Sequence, residues 1–344
     1  MSSGTTSQVF GTSRSRSGNF VGFLVAGALG LAVLVVAGPW SRVGKTPPVA
    51  PLAVIPAGPA FVFDVDLARL RKSADGAELS KLGVDRLAPA SSGVAFQPLR
   101  DVDEVVIAVA GGAHLEREGP AVFDRDAVAV VAAGRFTGKA AADTAVERIR
   151  ARGGEPVRTR LGSFESVRDL KATGEVAARD GLVVLSDGAY LRALLAAAEG
   201  QRADGSETER TRDRVHAELR RTFGRGAPVT ATLALPEGWL EAALGDADVR
   251  RSPLALVRSA ALRLNIGDAI DLDALFVCKT KDDCAEVAKF LKGARSDLER
   301  VLGSSSAIRR FAAVGDEDDE RVEISMSLST SDVVRFLAPH DAGN

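Results

Sequence analysis

Two aspartates at the end of a predicted strand come closest to a catalytic pattern in type and spacing. Asp64 and Asp66 stand two positions apart in the segment Phe63 to Leu67, and metal-dependent group transfer uses carboxylates of this kind. The hydroxyl residue that a phosphotransfer pattern requires two places after the second aspartate is replaced by Ala68. We therefore predict that Asp66 caps a helix, and a metal-dependent enzyme using Asp64 and Asp66 is the alternative.

A glycine-rich loop and an acidic run are two further candidate ligand sites. The loop from Gly134 to Gly138 has three residues between its glycines, where a phosphate loop has four, and Ala140 follows Lys139 in place of the magnesium-binding hydroxyl residue. The acidic run at 316–320 lacks the alternating ligand spacing of a calcium loop. We predict that the first is an ordinary strand-to-helix connection and the second a solvated hairpin tip.

The histidine and cysteine content gives little support to a hydrolase or a zinc site. His114, His216 and His340 lie about a hundred residues apart, and each is predicted at the surface because its neighbours are polar. No Gly-x-Ser-x-Gly segment occurs, and two cysteines are too few for a four-ligand zinc site. We therefore predict that the protein is not an enzyme, has no catalytic or metal-binding residues, and carries no cofactor.

The composition also argues against nucleic acid as a partner. The chain has 44 basic and 46 acidic side chains, and aromatic residues make up 5% of it. The first 60 residues hold four of the basic side chains and no acidic one, which leaves 40 basic against 46 acidic side chains beyond them. An acidic body with few aromatic rings lacks the basic surface and the stacking groups that nucleic-acid binding requires.

One uncharged segment near the start of the chain predicts a membrane anchor. Residues 20–38 contain no charged side chain, and at a helical rise of about 1.5 Å per residue they would span a bilayer. Pro39 ends the segment, and Trp40 falls where an indole lies among lipid head groups. We predict a transmembrane helix over residues 20–39 in contact with the lipid bilayer. A cleaved signal peptide, with Val35 and Ala37 before the cut, is the competing interpretation.

The segments around this helix predict its orientation. Residues 1–19 are rich in Ser, Thr and Gly and are predicted to form a disordered cytoplasmic tail. Residues 40–59 are predicted to form a proline-rich stalk. The basic residues on the two sides differ by one charge at most, so the size of the body decides the orientation. We expect a single-pass protein of the inner (cytoplasmic) membrane with an extracytoplasmic, periplasmic body.

The body shows the alternation of half-buried strands. Apolar residues occupy every second position from Ala260 to Ile266 and again from Ile270 to Phe276, with a Gly-Asp turn between the two runs. The same alternation recurs from Val322 to Leu328. Strands with one apolar face are typical of antiparallel sheets. We therefore predict an α+β fold whose sheets have helices packed on one face.

The order of these elements suggests an internal repeat. The strand and helix at 126–150 match those at 271–295 with an offset of 145, and Ser186 matches Ser329 with an offset of 143. We predict two similar α+β units at 60–202 and 227–340. A charged helix at 203–226 is predicted to connect them, with Val215, Leu219 and Phe223 forming a narrow apolar stripe.

The two cysteines lie close together in the second unit. Cys278 ends a predicted strand, and Cys284 falls in the first turn of the next helix. A tight turn between the two would bring their Cα atoms within the range that a disulfide requires, and an exported body would allow the bond to persist. We predict a possible disulfide between Cys278 and Cys284, and two reduced, partly buried thiols are the alternative.

The anchor, the stalk and the paired units resemble those of single-pass bacterial envelope proteins with a duplicated extracytoplasmic α+β domain. The resemblance covers residues 20–340 and concerns architecture alone; it implies a location and a fold, and no active site. The sequence thus favours a membrane-anchored extracytoplasmic envelope protein of binding or structural type, with an unknown envelope protein or polymer as its partner. The alternative is a metal-dependent envelope enzyme that uses Asp64 and Asp66.

Overall fold

The computed structural model describes most of the predicted body. The described residues are 49–72, 96, 98–111, 128–171, 174–224, 226–236, 253–267, 269–302, 308–315 and 320–329. The predicted tail, transmembrane helix and first part of the stalk lie outside these ranges, as does most of the acidic run at 316–320. Within the ranges, no helix combines the length and the apolar character needed to cross a membrane.

The described part of the body is a mixed α+β fold built on one large antiparallel sheet. The sheet has 12 strands in the order β11-β12-β10-β9-β8-β1-β2-β3-β7-β6-β5-β4, and every neighbouring pair is antiparallel. The strands are β1 Pro59–Asp66, β2 Val102–Ala110, β3 Val128–Gly134, β4 Pro156–Leu161, β5 Phe164–Asp169, β6 Glu175–Arg179, β7 Leu182–Ser186, β8 Val229–Ala234, β9 Val257–Ile266, β10 Ala269–Cys278, β11 Ile308–Gly315 and β12 Arg321–Ser329.

Seven described α-helices accompany the sheet. They are α1 Pro51–Val54, α2 Leu67–Leu70, α3 Pro98–Asp101, α4 Gly138–Ala151, α5 Gly188–Ala198, α6 Glu207–Leu219 and α7 Lys281–Leu302. A π-helix at Arg220–Gly224 continues α6 directly, and a 3-10 turn at Pro253–Leu256 precedes β9. We call α6 together with the π-helix, residues 207–224, the connecting helix.

The alternating segments form the strands that their pattern predicts. Ile266 of β9 pairs with Ile270 of β10 beside the predicted turn, and Leu272 is buried on the face that both share. In β12, Val322 and Leu328 begin and end a run in which every second side chain is buried. These side chains pack against α7, so the period of two in the sequence becomes one apolar face of the sheet.

The sheet carries helices on both faces, and the prediction of helices on one face is wrong. Leu272 of β10 packs in a cluster with Leu291 of α7, while Leu275, which points the opposite way, packs with Leu219 and Phe223 of the connecting helix. In the first half of the chain, α5 likewise covers the face opposite to that covered by α4. The pattern misled because several strands, β1 and β2 among them, carry apolar side chains on both faces.

The two halves of the chain share the sheet and meet at its middle. Strand β1 pairs with β8 over five residues, Phe61 to Val65. From this pair the order runs β1-β2-β3-β7-β6 on one side and β8-β9-β10-β12-β11 on the other. Helix α4 follows β3 and α7 follows β10, whereas β4 and β5 have no described counterpart in the second half. A common origin of the predicted units at 60–202 and 227–340 stays a prediction.

Candidate functional site

Asp66, one of the two singled-out aspartates, caps a helix. Its Oδ1 accepts a hydrogen bond of 2.8 Å from the backbone N–H of Arg69, at the start of the four-residue helix α2. The capping role predicted from the sequence is therefore confirmed. A carboxylate at this position satisfies one of the N–H groups that a helix leaves free at its start, which gives Asp66 a structural reason to be acidic.

Asp64, the second aspartate, begins a row of polar side chains across the sheet. It lies directly opposite Thr230 of β8, and Thr230 lies opposite Arg263 of β9. The row continues through Asp273 of β10 to Ser325 of β12. We call these five residues the polar row. It crosses five strands on the face of the sheet that carries the connecting helix, and Arg263 at its centre is hydrogen-bonded to that helix.

Two carboxyl groups at the β1 end of the polar row are shifted toward the protonated form. Burial raises the pKa of Asp64 to about 6; the positive charge of Arg220 lowers it and the neighbouring Asp66 raises it. Burial also raises the pKa of Glu104 to about 7, with further increases from the charges of Asp64 and Asp66. Glu104 lies opposite Asp66 in the β1–β2 register. The carboxyl groups of Asp64 and Glu104 therefore hold protons more tightly than exposed carboxylates do.

Asp64, Asp66 and Glu104 do not form a set of metal ligands. No three His, Cys, Asp or Glu side chains among the described residues converge closely enough to hold a metal ion. The nearby guanidinium of Arg220, which lowers the pKa of Asp64, also opposes a cation by repulsion. The structure therefore brings Asp64, Asp66 and Glu104 together at the C-terminal end of β1, in the middle of the sheet, without assembling a ligand set from them.

His216 is buried in the interface between the connecting helix and the sheet, and its predicted surface position is wrong. The residue is 1% exposed. Its Nε2 lies 2.9 Å from the carbonyl oxygen of Pro59, and its Nδ1 lies 2.8 Å from the Oγ1 of Thr232. Because a carbonyl only accepts, Nε2 carries the proton and the Thr232 hydroxyl donates to Nδ1. Burial lowers the pKa of His216 to about 4, so the ring is neutral at pH 7.

The sequence contained a signal for the burial of His216, but the many charged residues around it obscured that signal. His216 precedes Leu219 by three positions and Phe223 by seven, which places all three on one side of a helix. Leu219 and Phe223 are the buried residues of the predicted apolar stripe. The arginines and glutamates around His216 suggested a surface, but the helical spacing assigns His216 to the inner face.

The connecting helix occupies residues 207–224 of the segment 203–226, and its start is fixed to the sheet by polar contacts. The side chain of Ser206 and that of Glu209 form a capping box at the first turn. One turn later, Asp213 Oδ1 accepts a hydrogen bond of 3.0 Å from the N–H of Gly58, and Arg212 Nε donates one of 2.9 Å to the Gly58 carbonyl. The charged helix is therefore attached to the sheet next to the start of β1.

The π-helix at the end of the connecting helix is attached to the polar row. Arg263 Nε donates to Asp273 Oδ2 at 2.9 Å, and its Nη1 donates to the carbonyl oxygen of Phe223 at 3.3 Å. The same guanidinium stacks on the Phe223 ring at 4.9 Å from the ring centre. A π-helix is a less regular turn that recurs at functional sites. Here it places Phe223 on Arg263 and puts the charge of Arg220 near Asp64.

The glycine-rich loop connects a strand to a helix, as predicted. Thr137 caps α4 by accepting a hydrogen bond of 3.2 Å from the N–H of Ala140. A side chain at Gly138 would collide with the backbone of Arg179 at 2.6 Å. Close packing of backbone segments therefore explains that glycine without a phosphate.

Cys278 and Cys284 lie on either side of the turn between β10 and α7. Their sulfur atoms are joined as a disulfide, and their Cα atoms are 5.5 Å apart. Both side chains are buried, at 0% and 3% exposure. Thr280 begins the helix between them by accepting a hydrogen bond of 3.2 Å from the N–H of Asp283. The pair therefore links the start of α7 to the end of β10.

Comparisons with known proteins give no family for the chain. No protein-family model matches it, and no curated protein matches it. Among solved structures, it is similar to crystal form I of TP0453, with a TM-score of 0.44 and 12% sequence identity, over 84% of this chain and 97% of that chain. A likeness at this level carries no argument about function.

Proposed function

We propose that the protein is a membrane-anchored extracytoplasmic envelope protein of binding or structural type. The cysteine pair is the observation that carries this proposal. Cys278 and Cys284 are the two cysteines of the chain, and both are buried in a disulfide. Structural disulfides persist in oxidising compartments and are rare in the cytoplasm. The uncharged segment at 20–38 supplies an anchor that would place the body in such a compartment.

A binding role is supported by apolar side chains on the first half of the sheet. Leu185 of β7 is 41% exposed, and it lies opposite Val130 of β3, which in turn lies opposite Ile107 of β2. Both neighbours are half-buried. Leu185 is the exposed member of this apolar row, and Ile107 at the other end packs partly against the core; the row is where another molecule would dock. We propose an envelope protein or polymer as that molecule.

The location is tested by labelling single cysteines with a membrane-impermeant thiol reagent in intact cells. Ser41→Cys in the stalk and Ser3→Cys in the tail are matched, because both replace a serine outside the predicted helix. We expect the first to react and the second to be protected until the cells are opened. The reverse pattern would place the body in the cytoplasm. A mature protein that begins after residue 37 would identify the segment as a signal peptide.

The binding role is tested by photo-crosslinking in intact cells. A photoreactive residue at position 185 is compared with one at position 170, because Leu170 is also an exposed leucine, at 58%, but lies in the turn after β5. We expect a discrete crosslinked product from position 185 and none from position 170. Equal crosslinking from both positions, or none from either, would contradict a specific binding surface on these strands.

A further inference from the structure

The strands in the middle of the sheet carry apolar side chains on both faces, and the described helices cover the two faces unequally. Val106 of β2 and Val131 of β3 point to the face that carries α1 and α5, and both are 0% exposed. The apolar side chains that alternate with them along β2 and β3 point to the opposite face, and they are half-buried. The middle of the sheet therefore has an apolar surface that stays partly accessible to solvent.

Six half-buried side chains from four neighbouring strands form this surface, which we call the apolar floor. Phe61 of β1 lies opposite Val109 of β2 on one side and Leu233 of β8 on the other. Farther along β2, Ile107 lies opposite Val130 of β3. Val109 and Val130 belong to none of the clusters into which the described core divides. The members of the floor are Phe61, Ile107, Val109, Val128, Val130 and Leu233.

Two helices stand on either side of the apolar floor, on the same face of the sheet. Helix α4 packs on Val167 of β5 through Val146. Helix α7 packs on Leu272 of β10 through Leu291. Because a helix adds about 10 Å to the height of the sheet face on which it packs, the floor lies at the bottom of a groove between α4 and α7.

The groove is closed where β1 ends. Leu70 of α2, which follows β1 directly, packs with Phe96 in the cluster that contains Val65 of β1. The ring of Phe136, which follows β3, meets the ring of Phe96 edge-on at 4.8 Å between centres. The groove is therefore lined by hydrocarbon from this end to Phe61 near the start of β1.

The apolar floor offers no hydrogen bond to a molecule that lies on it. Its side chains are hydrocarbon, and the backbones of its four strands are paired with a neighbour on both sides. Polar groups placed against the floor would lose their hydrogen bonds to water without replacing them. A second copy of the chain, or another broad protein surface, would meet α4 and α7 before it reached the floor. A hydrocarbon chain satisfies both constraints, because it is narrow and buries no polar group.

The length of chain that precedes the described body keeps the groove close to a source of such chains. The uncharged segment ends at Gly38, and the first described residue, Val49, already packs against the core beneath α5. The residues between them extend at most about 40 Å. With the segment at 20–38 as a membrane anchor, the body is therefore held near a bilayer, where acyl chains are abundant.

We propose that the groove between α4 and α7 holds an acyl chain of a membrane lipid against the apolar floor. Every methylene group that leaves water for this surface favours binding. The inference rests on the membrane anchor of the proposed function. It adds a lipid beside the envelope partner proposed at Leu185, which lies opposite Val130 at the margin of the floor.

The test uses the full chain in vesicles of phosphatidylcholine and phosphatidylglycerol. The vesicles contain a phosphatidylcholine with a diazirine in one acyl chain, and irradiation attaches this lipid to the groups around that chain. Mass spectrometry of the peptides then locates the label. We expect label in the segment 20–38, which serves as the internal standard, and in the peptides that contain β2 and β3. Label confined to the segment 20–38 would overturn the inference.

Val109→Trp should block the groove, because an indole on the apolar floor takes the space of several methylene groups of the lipid. Relative to the label in the segment 20–38, the label in the body should fall about fivefold or more. Val314→Trp is the matched control, because Val314 is also a strand valine but lies on β11, outside the floor, and is 63% exposed. This variant should keep the wild-type label. Equal labelling of the two variants would overturn the inference.

Val130→Thr covers the case in which Val109→Trp fails to fold. Threonine keeps the shape of valine and adds a hydroxyl group, which an acyl chain on the floor would cut off from water. The label in the body should therefore fall about fivefold, and Val314→Thr should leave it unchanged. Wild-type labelling of a folded Val130→Thr would count against an acyl chain on the floor.

The remaining outcomes separate this inference from the proposed function. A photoreactive residue at position 109 that yields a protein product in cells, with no lipid label on β2 and β3 in vesicles, would assign the floor to a protein and overturn the inference. The vesicle experiment does not depend on the compartment of the body. A reversed cysteine-labelling pattern would therefore contradict the proposed location alone, whereas an unlabelled body beside a labelled segment 20–38 would contradict the acyl chain alone.

Discussion

His216 of the connecting helix and Thr232 of β8 form a buried hydrogen bond between the helix and the sheet. The Nδ1 atom of the ring lies 2.8 Å from the threonine Oγ1, and both residues are buried. Because Nε2 is engaged with the Pro59 carbonyl, Nδ1 depends on Thr232 for its partner. The bond therefore couples the connecting helix to β8 specifically.

Thr232→Val should destabilise the protein, because it leaves Nδ1 of a buried imidazole without a donor. Valine keeps the shape of threonine, so the expected cost is that of an unsatisfied buried polar atom, about 1–3 kcal/mol in the free energy of unfolding. Thr230→Val is the matched control, since Thr230 lies on the same strand and face and is also buried. Urea unfolding measures both. Equal effects of the two substitutions would contradict a specific role for the His216 bond.

Glu104→Gln should stabilise the protein at neutral pH and flatten the pH dependence of its stability. Burial raises the pKa of Glu104 from 4.5 to about 7, so between these values the folded state binds a proton that the unfolded state lacks. That stabilising contribution is present at low pH and is lost as pH rises through about 7.

The size of the Glu104 effect is limited by its contact with solvent. Glu104 is half-buried, so after allowance for solvent screening we expect a gain of about 1 kcal/mol at pH 7.5. Unfolding by urea at pH 5.0 and 7.5 measures it. Glu323→Gln, on an exposed position of β12, is the control and should leave the difference between the two pH values unchanged. A loss of stability in Glu104→Gln at pH 7.5 would refute the raised pKa of Glu104.

Asp103 is a further position where one substitution should be costly, because it is buried between two arginines. It forms ion pairs of 3.0 Å with Arg71 and with Arg135, and its side chain is 5% exposed. Asp103→Asn would remove the charged partner from this buried ion pair with Arg71, at a cost of about 3–5 kcal/mol. Asp143→Asn, which breaks an ion pair whose side chains are about 42% exposed, should cost less than about 1 kcal/mol. Thermal unfolding of the two variants decides between these expectations.

The pattern of the sequence predicted local elements better than it predicted their assembly. The alternation around Gly267 predicted the β9–β10 hairpin, because its apolar side chains share one face. The pairing of β1 with β8 was not predictable in this way, since it joins residues more than 160 positions apart and neither strand carries a distinctive turn. The burial of His216 depends on that pairing, because its partners Pro59 and Thr232 come from these two strands.

The disulfide is testable by counting thiols. Protein purified from the envelope and denatured without reductant should show no free thiol and a monomeric mass. Replacing both Cys278 and Cys284 by alanine should lower the free energy of unfolding by about 2 kcal/mol, because the bridge closes a short loop with a small entropic effect. Two free thiols per chain in the envelope fraction would show that the disulfide is absent and would weaken the proposed extracytoplasmic location.

Replacing Gly58, the residue before β1, by alanine should be costly, because two constraints act on this position together. Its φ of +70° disfavours any residue with a side chain, and a Cβ atom there would lie 2.5 Å from the Cβ of Glu209 on the connecting helix. Gly153 is a matched control, since its φ is +76° and nothing lies within 4 Å of the added atom. Gly153→Ala should cost about 1–2 kcal/mol from backbone strain alone. Gly58→Ala should cost about 1–3 kcal/mol more, because the connecting helix must shift to admit the methyl group.

Amide hydrogen exchange of residues 207–224 checks this explanation, because a shifted helix is less protected. The exchange rates should rise in Gly58→Ala and stay unchanged in Gly153→Ala. Equal free energies of unfolding for the two variants would show that the connecting helix does not press on Gly58.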